Sequence, residues 1–421
     1  MLTFLLPVRS LLIAIFILMA GSGFLSTLIS LRLERAGIST LMIGAVATAY
    51  FAGLTVGALR VGSIVRRVGY IRAFAAFVSI LSASTLSYAL IQSPALWTAL
   101  RFIDGLCVAG VFICLESWLN ERADSQTRGS ILASYMVALY SGQAVGQLLL
   151  NASGEMPSTP FQIASILISL AIVPICLTRS HAPATGNARP FSLRELFTAS
   201  PLGAVGATAT GLMLGAFYGL AAVHVRRIGL DLSQTATFMS IVILGGVALQ
   251  WPLGRLSDRY DRRQVIVISL GAAMIASIAI ALIARPSGLL LLFGGLFGGL
   301  SFALYPLCVA HTNDRLDADN RVAASGGLVL LYSIGAALGP TGGAIAMTLA
   351  GGAGLFLFIA LCAAGALLFG VWRQIATDPV PVSEQQNYQI MPRTTPVAAL
   401  LDPNSPEEAA PAPQGRASSA G

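Results

Sequence analysis

Twelve times along this chain an apolar run is followed by a short polar gap, and each run approaches the roughly 20 residues that a helix needs to cross a bilayer. The composition leaves little alternative. Of 421 residues, 56% are hydrophobic and 10% are charged, whereas a soluble domain carries roughly 25% charged residues to face water. A soluble surface cannot be covered from that stock, so most of the exterior must face hydrocarbon. The first run, with Arg9 before it and Gly21-Ser22-Gly23 within it, reads as an uncleaved helix, because it outruns the about 7–15 apolar residues of a signal peptide.

The net charge of +7 does not point to nucleic acid, because the basic residues lie in short gaps between apolar runs instead of clustering on one face. All 25 of them are arginine, which fits the codon usage of a GC-rich bacterial genome. With the amino terminus inside, nineteen arginines fall on the cytoplasmic side and five outside, and Arg101 lies within a span. That asymmetry sets both termini in the cytoplasm, with the lipid bilayer as the protein's surroundings. The five cysteines sit in apolar runs as small buried hydrophobes, so neither a disulfide nor a metal site is expected.

The longest internal gap, 179–201, divides two sets of six spans. The fold class expected is all-α: a six-helix bundle over 1–178, a cytoplasmic linker over 179–201, a second bundle over 202–375, and a disordered cytoplasmic tail over 376–421, rich in Pro, Ser, Gln and Ala. The halves repeat. The loop after span two begins Gly62-Ser63-Ile64-Val65-Arg66-Arg67, and Gly254-Arg255-Leu256-Ser257-Asp258-Arg259 follows span eight at an offset of 192. Gly142-Gln143-Ala144-Val145-Gly146 in span five matches Gly335-Ala336-Ala337-Leu338-Gly339 in span eleven at an offset of 193. Two motifs at nearly one offset indicate duplication.

These features resemble the major facilitator superfamily, whose loop motif Gly-x-Leu-x-Asp-Arg-x-Gly-Arg-Arg is matched at Gly254, Leu256, Asp258, Arg259, Arg262 and Arg263. Tyr50-Phe51-Ala52-Gly53, Glu116-Ser117-Trp118 and Gln250-Trp251-Pro252 are similar to the YcaD-like group of bacterial transporters, a resemblance that implies location in a bacterial inner membrane. The resemblance implies two pseudo-symmetric halves with a solute site between them near the midplane, exposed alternately to each side. It also implies gating by the loop motif. Here Arg66 stands where the first copy has aspartate, Tyr70 stands where a basic residue is usual, and Asp261 replaces glycine in the second. One expectation is therefore a reversed lock, Arg66 or Arg67 against Asp314, Asp317 or Asp319, with Asp258 at the start of span five near Arg128 and Gly129. The other is that these are solvated interfacial charges. Gly335, Gly339 and Pro340 look like the antiporter-type signature, normally found in span five, and are read as a helix hinge; Gln147 occupies the proline position in span five itself.

A charge inside a span costs on the order of 2.5–3.5 kcal/mol, so Arg101, Asp104 and Glu116 of span four need partners or a purpose. Arg101, Gly105, Phe112 and Glu116 share one helical stripe, and Asp104 flanks it within ion-pair reach of Arg101. Arg101 also falls in the superfamily's Arg-x-x-x-Gly signature, where the resemblance implies a part in proton coupling. Tyr50, Gln143, Tyr218, Gln250 and Trp251 complete the set of expected cavity residues. The alternative for the charges is a structural pair, with Glu116 at the interface.

There is no lysine for a nucleotide-binding Walker motif and no His-Glu-x-x-His or Gly-x-Ser-x-Gly, so neither an ATP-driven pump nor an enzyme is indicated. The function expected is a monomeric secondary transporter that needs no cofactor and exports a small organic solute by alternating access, coupled to protons. Uptake by symport or facilitated diffusion, and a non-transporting membrane sensor, are the alternatives.

Overall fold

The computed structural model describes residues 8–123, 126–153, 158–177 and 192–402. Twelve long helices dominate: α1 (Arg9–Arg35), α2 (Thr40–Val68), α3 (Tyr70–Leu90), α4 (Pro94–Arg122), α5 (Arg128–Leu148), α6 (Thr159–Cys176), α7 (Pro201–Arg227), α8 (Leu232–Ser257), α9 (Arg262–Leu282), α10 (Gly288–Asn313), α11 (Ala318–Ala350) and α12 (Gly354–Ala376). Among the described residues eleven of them are long and apolar enough to cross a membrane. The other, α5, has 21 residues and is diluted by Ser130, Ser134, Ser141, Gln143 and Gln147. Large apolar side chains such as Leu349, Leu361 and Ile375 stand outward at 83%, 70% and 83% exposure, which hydrocarbon tolerates and water would not.

Packing repeats with a shift of six helices. Within the first half α1 lies on α5, α2 on α4 and α3 on α6; within the second α7 lies on α11, α8 on α10 and α9 on α12. Across the halves α2 meets α11 and α5 meets α8, again the same pairing shifted by six. Close approach depends on glycine. A Cβ on Gly53 or Gly105 would strike the backbone carbonyl of Phe102 or Tyr50 between α2 and α4, and one on Gly335 or Gly339 would strike that of Thr208 or Leu212 between α11 and α7.

Two helices are interrupted where the sequence weakens them. The first divides into Arg9–Ser22 and Leu25–Arg35 around Gly23, and the Gly23 carbonyl accepts a bond from Gln147 Nε2 at 3.0 Å. α6 breaks after Leu170, just ahead of Pro174, whose missing N–H cannot sustain the ladder. By contrast α11 continues unbroken through Pro340.

The linker region expected over 179–201 lies partly outside the described residues. Its end forms a short helix, Leu193–Ala199, with a capping box between Ser192 and Glu195. The expected tail differs more. Residues 403–421 lie outside the described residues, but 377–402 turn back from α12 into the body of the protein, with Met391, Ala398, Ala399 and Leu401 buried. The physical reason is that Tyr388, Ile390, Met391, Val397 and Leu401 give this stretch an apolar content that the polar average of the tail conceals.

Candidate functional site

Gly105 lets α4 press against α2 at Tyr50, and one turn away the Arg101 guanidinium lies 4.1 Å above the Tyr50 ring. Arg101 donates to Ser26 Oγ at 2.6 Å and stands 3.7 Å from Asp104. Asp104 accepts the Tyr88 hydroxyl at 2.6 Å. Both charges are buried, at 3% and 1% exposure, so each offsets the desolvation of the other. Glu116 is 12 residues beyond Asp104, about 18 Å along the helix at 1.5 Å per residue, and is fully buried. Among the described residues it meets no cation; it accepts hydroxyls from Tyr135 at 3.1 Å and from Thr394 and Thr395.

Between Arg101 and Glu116 the halves enclose a cavity of about 120 Å³, walled by Tyr50, Phe112, Tyr140, Gln143, Tyr218 and Tyr332. Tyr218 on α7 donates to Gln143 on α5 at 3.1 Å, a bond between the halves. Arg393 and Thr394 of the returning tail close the cavity at one end. The Arg393 guanidinium lies 4.4 Å from the Phe302 ring centre, 5.5 Å from Tyr332 and 5.8 Å from Tyr140.

The two ends of the molecule differ. At the face bearing the α1–α2 and α7–α8 loops the halves are locked: Arg227 meets Glu34 at 2.8 Å and donates to Thr40 at 3.0 Å, and Ser30 donates to the Gly219 carbonyl at 2.7 Å. Thr48 donates to the Ala337 carbonyl at 2.9 Å. At the arginine-rich face, which bears the α2–α3 and α8–α9 loops, the tail threads between the halves. The Gln386 and Tyr388 backbone N–H groups donate to Asp314 and Asp258, both at 2.8 Å, and Arg262 donates to the Gln386 carbonyl at 2.6 Å.

Two pseudo-symmetric six-helix halves around one central cavity are the geometry of a carrier, and the family model that describes the Major Facilitator Superfamily matches residues 11–302 and 204–404. The chain belongs to the Major Facilitator Superfamily. It is accordingly a multi-pass membrane protein and a transporter of some solute. It is 29% identical over 337 residues to the uncharacterized MFS-type transporter YcaD of Escherichia fergusonii, covering 80% of this chain and 87% of that one. With the YcaD of Salmonella paratyphi A it shares 29% identity over 386 residues, 91% of this chain and 100% of the other. The nucleoside transporter NupG superposes with a TM-score of 0.74 at 14% identity, over 86% of this chain and 98% of that one. An inward-facing, unoccupied bacterial homologue of the human lysosomal transporter Spinster does so at 0.66 with 13% identity, over 96% and 98%. At such identities these structures speak for the fold alone.

For this superfamily member the gating motif is wired otherwise than the loop pattern suggests. Asp258 binds Arg262, at 3.2 Å, and the tail's Tyr388 instead of the start of α5. Asp314 pairs with Arg262 at 2.6 Å and is therefore not a partner for Arg66. Gly62 opens onto little, Arg66, Arg67 and Arg259 are exposed and, among the described residues, none of the three forms an ion pair. Neither Arg66 nor Asp317 makes the reversed lock, and the Asp319 side chain lies outside the described residues. Asp261, in the motif's glycine position, caps α9 and binds Arg263 at 2.9 Å. Arg263 also donates to the Thr377 carbonyl at 2.7 Å.

Of the expected cavity residues, Tyr50, Gln143 and Tyr218 line it, while Arg101 stands behind Tyr50 and Glu116 lies next to Thr394. Gln250 and Trp251 do not line it. Gln250 is buried away from the cavity, and Trp251 points outward at 58% exposure with Arg255 3.8 Å above its ring. One residue along a helix from buried Gln250 the direction turns by about 100°, which carries the Trp251 indole to the outer face. Gly335 and Gly339 form the seam with α7, and Pro340 packs against Gly219 of α7 and Gly44 of α2. The residues missed are Phe302, Tyr332 and Arg393. A tail arginine flanked by Ile390, Met391 and Pro392 was the available signal.

Proposed function

We propose that this protein is a proton-linked exporter of a small organic solute in a bacterial inner membrane, working as a monomer by alternating access with both termini in the cytoplasm. One observation carries the reading. A central cavity between the halves is locked at one face by Arg227–Glu34 and Ser30–Gly219, and toward the arginine-rich face it borders a buried carboxylate, Glu116, that has hydroxyl partners and, among the described residues, no cation. A carboxylate so placed is costly to keep ionised and is suited to taking up and releasing a proton as the halves rock. With the arginine-rich face inside, this conformation is the one held shut toward the outside, as an exporter loading from the cytoplasm needs once the tail is withdrawn. Proteoliposomes with an imposed pH gradient provide the test: solute flux that follows the gradient and loses its pH dependence in Glu116→Gln supports coupling, and flux indifferent to the gradient rejects it.

A further inference from the structure

We infer that the central cavity selects an organic cation of the guanidinium or alkylammonium class, and that Arg393 is a tethered occupant of that same site. The inference rests on reading the cavity as the transport site.

The recognition elements are aromatic. Tyr140 on α5, Phe302 on α10 and Tyr332 on α11 all present rings within 6 Å of the Arg393 guanidinium, the range in which a ring's quadrupole attracts a cation. Tyr140, Phe302 and Tyr218 form a continuous wall, since Tyr140 and Phe302 lie 5.4 Å apart and Phe302 and Tyr218 6.1 Å apart. Among the described residues Arg393 makes no salt bridge; it faces these rings and the hydroxyls of Tyr218 and Tyr332. The remaining charges point the same way. Arg101, the other cation near the cavity, is held by Asp104 and covered by the Tyr50 ring. Glu116 supplies only a carboxyl acceptor beside Thr394, the residue after Arg393, and no cation. With Arg393 unseated, an anionic solute would meet π faces and a carboxyl group and, among the described residues, no cation lacking an ion-pair partner.

The tether sits in the path from the arginine-rich face. It is fastened below Arg393 by Gln386 and Tyr388 on Asp314 and Asp258, and beyond it by Thr394 and Thr395 on Glu116 and by Asn313 on Asp402 at 3.2 Å. The Tyr388 ring packs so closely on Gly254 that a Cβ there would strike it. A ligand on a short tether acts at an effective concentration in the millimolar range. A free solute must therefore displace Arg393, and its apparent affinity is reduced by the fraction of molecules in which the strap is unseated.

The test compares benzylguanidinium with its neutral isostere benzylurea by calorimetry on the purified full chain, on Arg393→Gln, on Arg393→Lys and on a chain ending at Asp378. Benzylguanidinium should bind Arg393→Gln and the shortened chain at least about tenfold more tightly than the wild type. Arg393→Lys, which keeps a cation in the cage, should stay near the wild type, and benzylurea should bind none of them. Equal affinity across the four proteins, equal binding of benzylurea, or no binding to a folded Arg393→Gln protein would overturn the inference. Parallel flux of the same compounds in proteoliposomes separates the two readings. Cation binding without flux removes the transport reading and leaves the site; flux of neutral or anionic solutes without cation binding removes the cation site and leaves the transporter.

Discussion

The Arg262 guanidinium meets the Asp314 carboxylate at 2.6 Å, both side chains 1% exposed and both in the second half of the protein. A motif expected to bridge the halves is thus used to build a socket in one of them, and the socket holds the backbone of Gln386. Burial lifts the Asp314 carboxyl above its ordinary value even against the attraction of Arg262, so desolvation outweighs the Coulombic gain. Asp314→Asn should accordingly change thermal stability by no more than about 1 kcal/mol. Asp314→Ala, which strands Arg262, should cost toward the lower end of about 3–5 kcal/mol, since Asp258 remains at 3.2 Å. The pH dependence has a definite sign. A carboxyl raised in the folded state contributes stability below its unfolded pKa of about 3.9 and loses it as pH rises through the folded value. Melting temperatures should therefore fall more for the wild type than for Asp314→Asn between about pH 4 and pH 7.

The Arg101–Asp104 pair separates structural from transport roles. Removing either charge alone leaves the other buried at 3% or 1% exposure, and should cost about 3–5 kcal/mol. Replacing both, in an Arg101→Leu, Asp104→Leu protein, should recover most of that stability, because two desolvation penalties vanish together. If the pair takes part in coupling, the doubly substituted protein melts like the wild type yet moves solute without response to a pH gradient. Wild-type coupling in that protein would assign the pair to packing alone.

Glycine positions offer a cleaner packing test. Gly105→Ala drives a methyl group into the Tyr50 carbonyl and should cost about 1–3 kcal/mol in thermal stability, as overpacking does. Gly365 on α12 is exposed with no neighbouring atom in reach of a Cβ, so Gly365→Ala should be neutral or gain up to about 1 kcal/mol from helix propensity.

How far such contacts can be foreseen depends on what periodicity records. The spans, the halves and the shift of six helices follow from apolar runs and the repeat at 192–193 residues, because lipid imposes one length on every helix. Tyr50, Gln143 and Tyr218 were legible as polar groups in apolar helices, where a polar side chain needs a reason. Trp251 was not, since a helix face is fixed by tertiary packing and neither Gln250 before it nor Arg255 one turn on marks which face turns inward. The tail partners of Asp258 and Asp314 were illegible for another reason. They are backbone groups of Tyr388 and Gln386, and a backbone N–H carries no sequence signature.

Glu34 and Arg227 form the one ion pair between the halves among the described residues, and it sits at the locked face with side chains 22% and 35% exposed. Exposed pairs contribute only about 0.2–1 kcal/mol, and here the Ser30–Gly219 and Thr48–Ala337 bonds share the closure. Glu34→Gln should therefore tilt the balance toward opening at that face by at most about fivefold, without abolishing the closed state. Spin labels at Ala36→Cys, in the exposed α1–α2 loop, and Ser233→Cys, in the exposed first turn of α8, would report this as growth of a longer distance at the expense of the shorter one. A charge exchange, Glu34→Arg with Arg227→Glu, should return the distribution to that of the wild type, because the pair rebuilds the same contact with its signs reversed. A persistent shift in the exchanged protein would mean that Thr40, which Arg227 also holds at 3.0 Å, contributes more to the lock than the charges do.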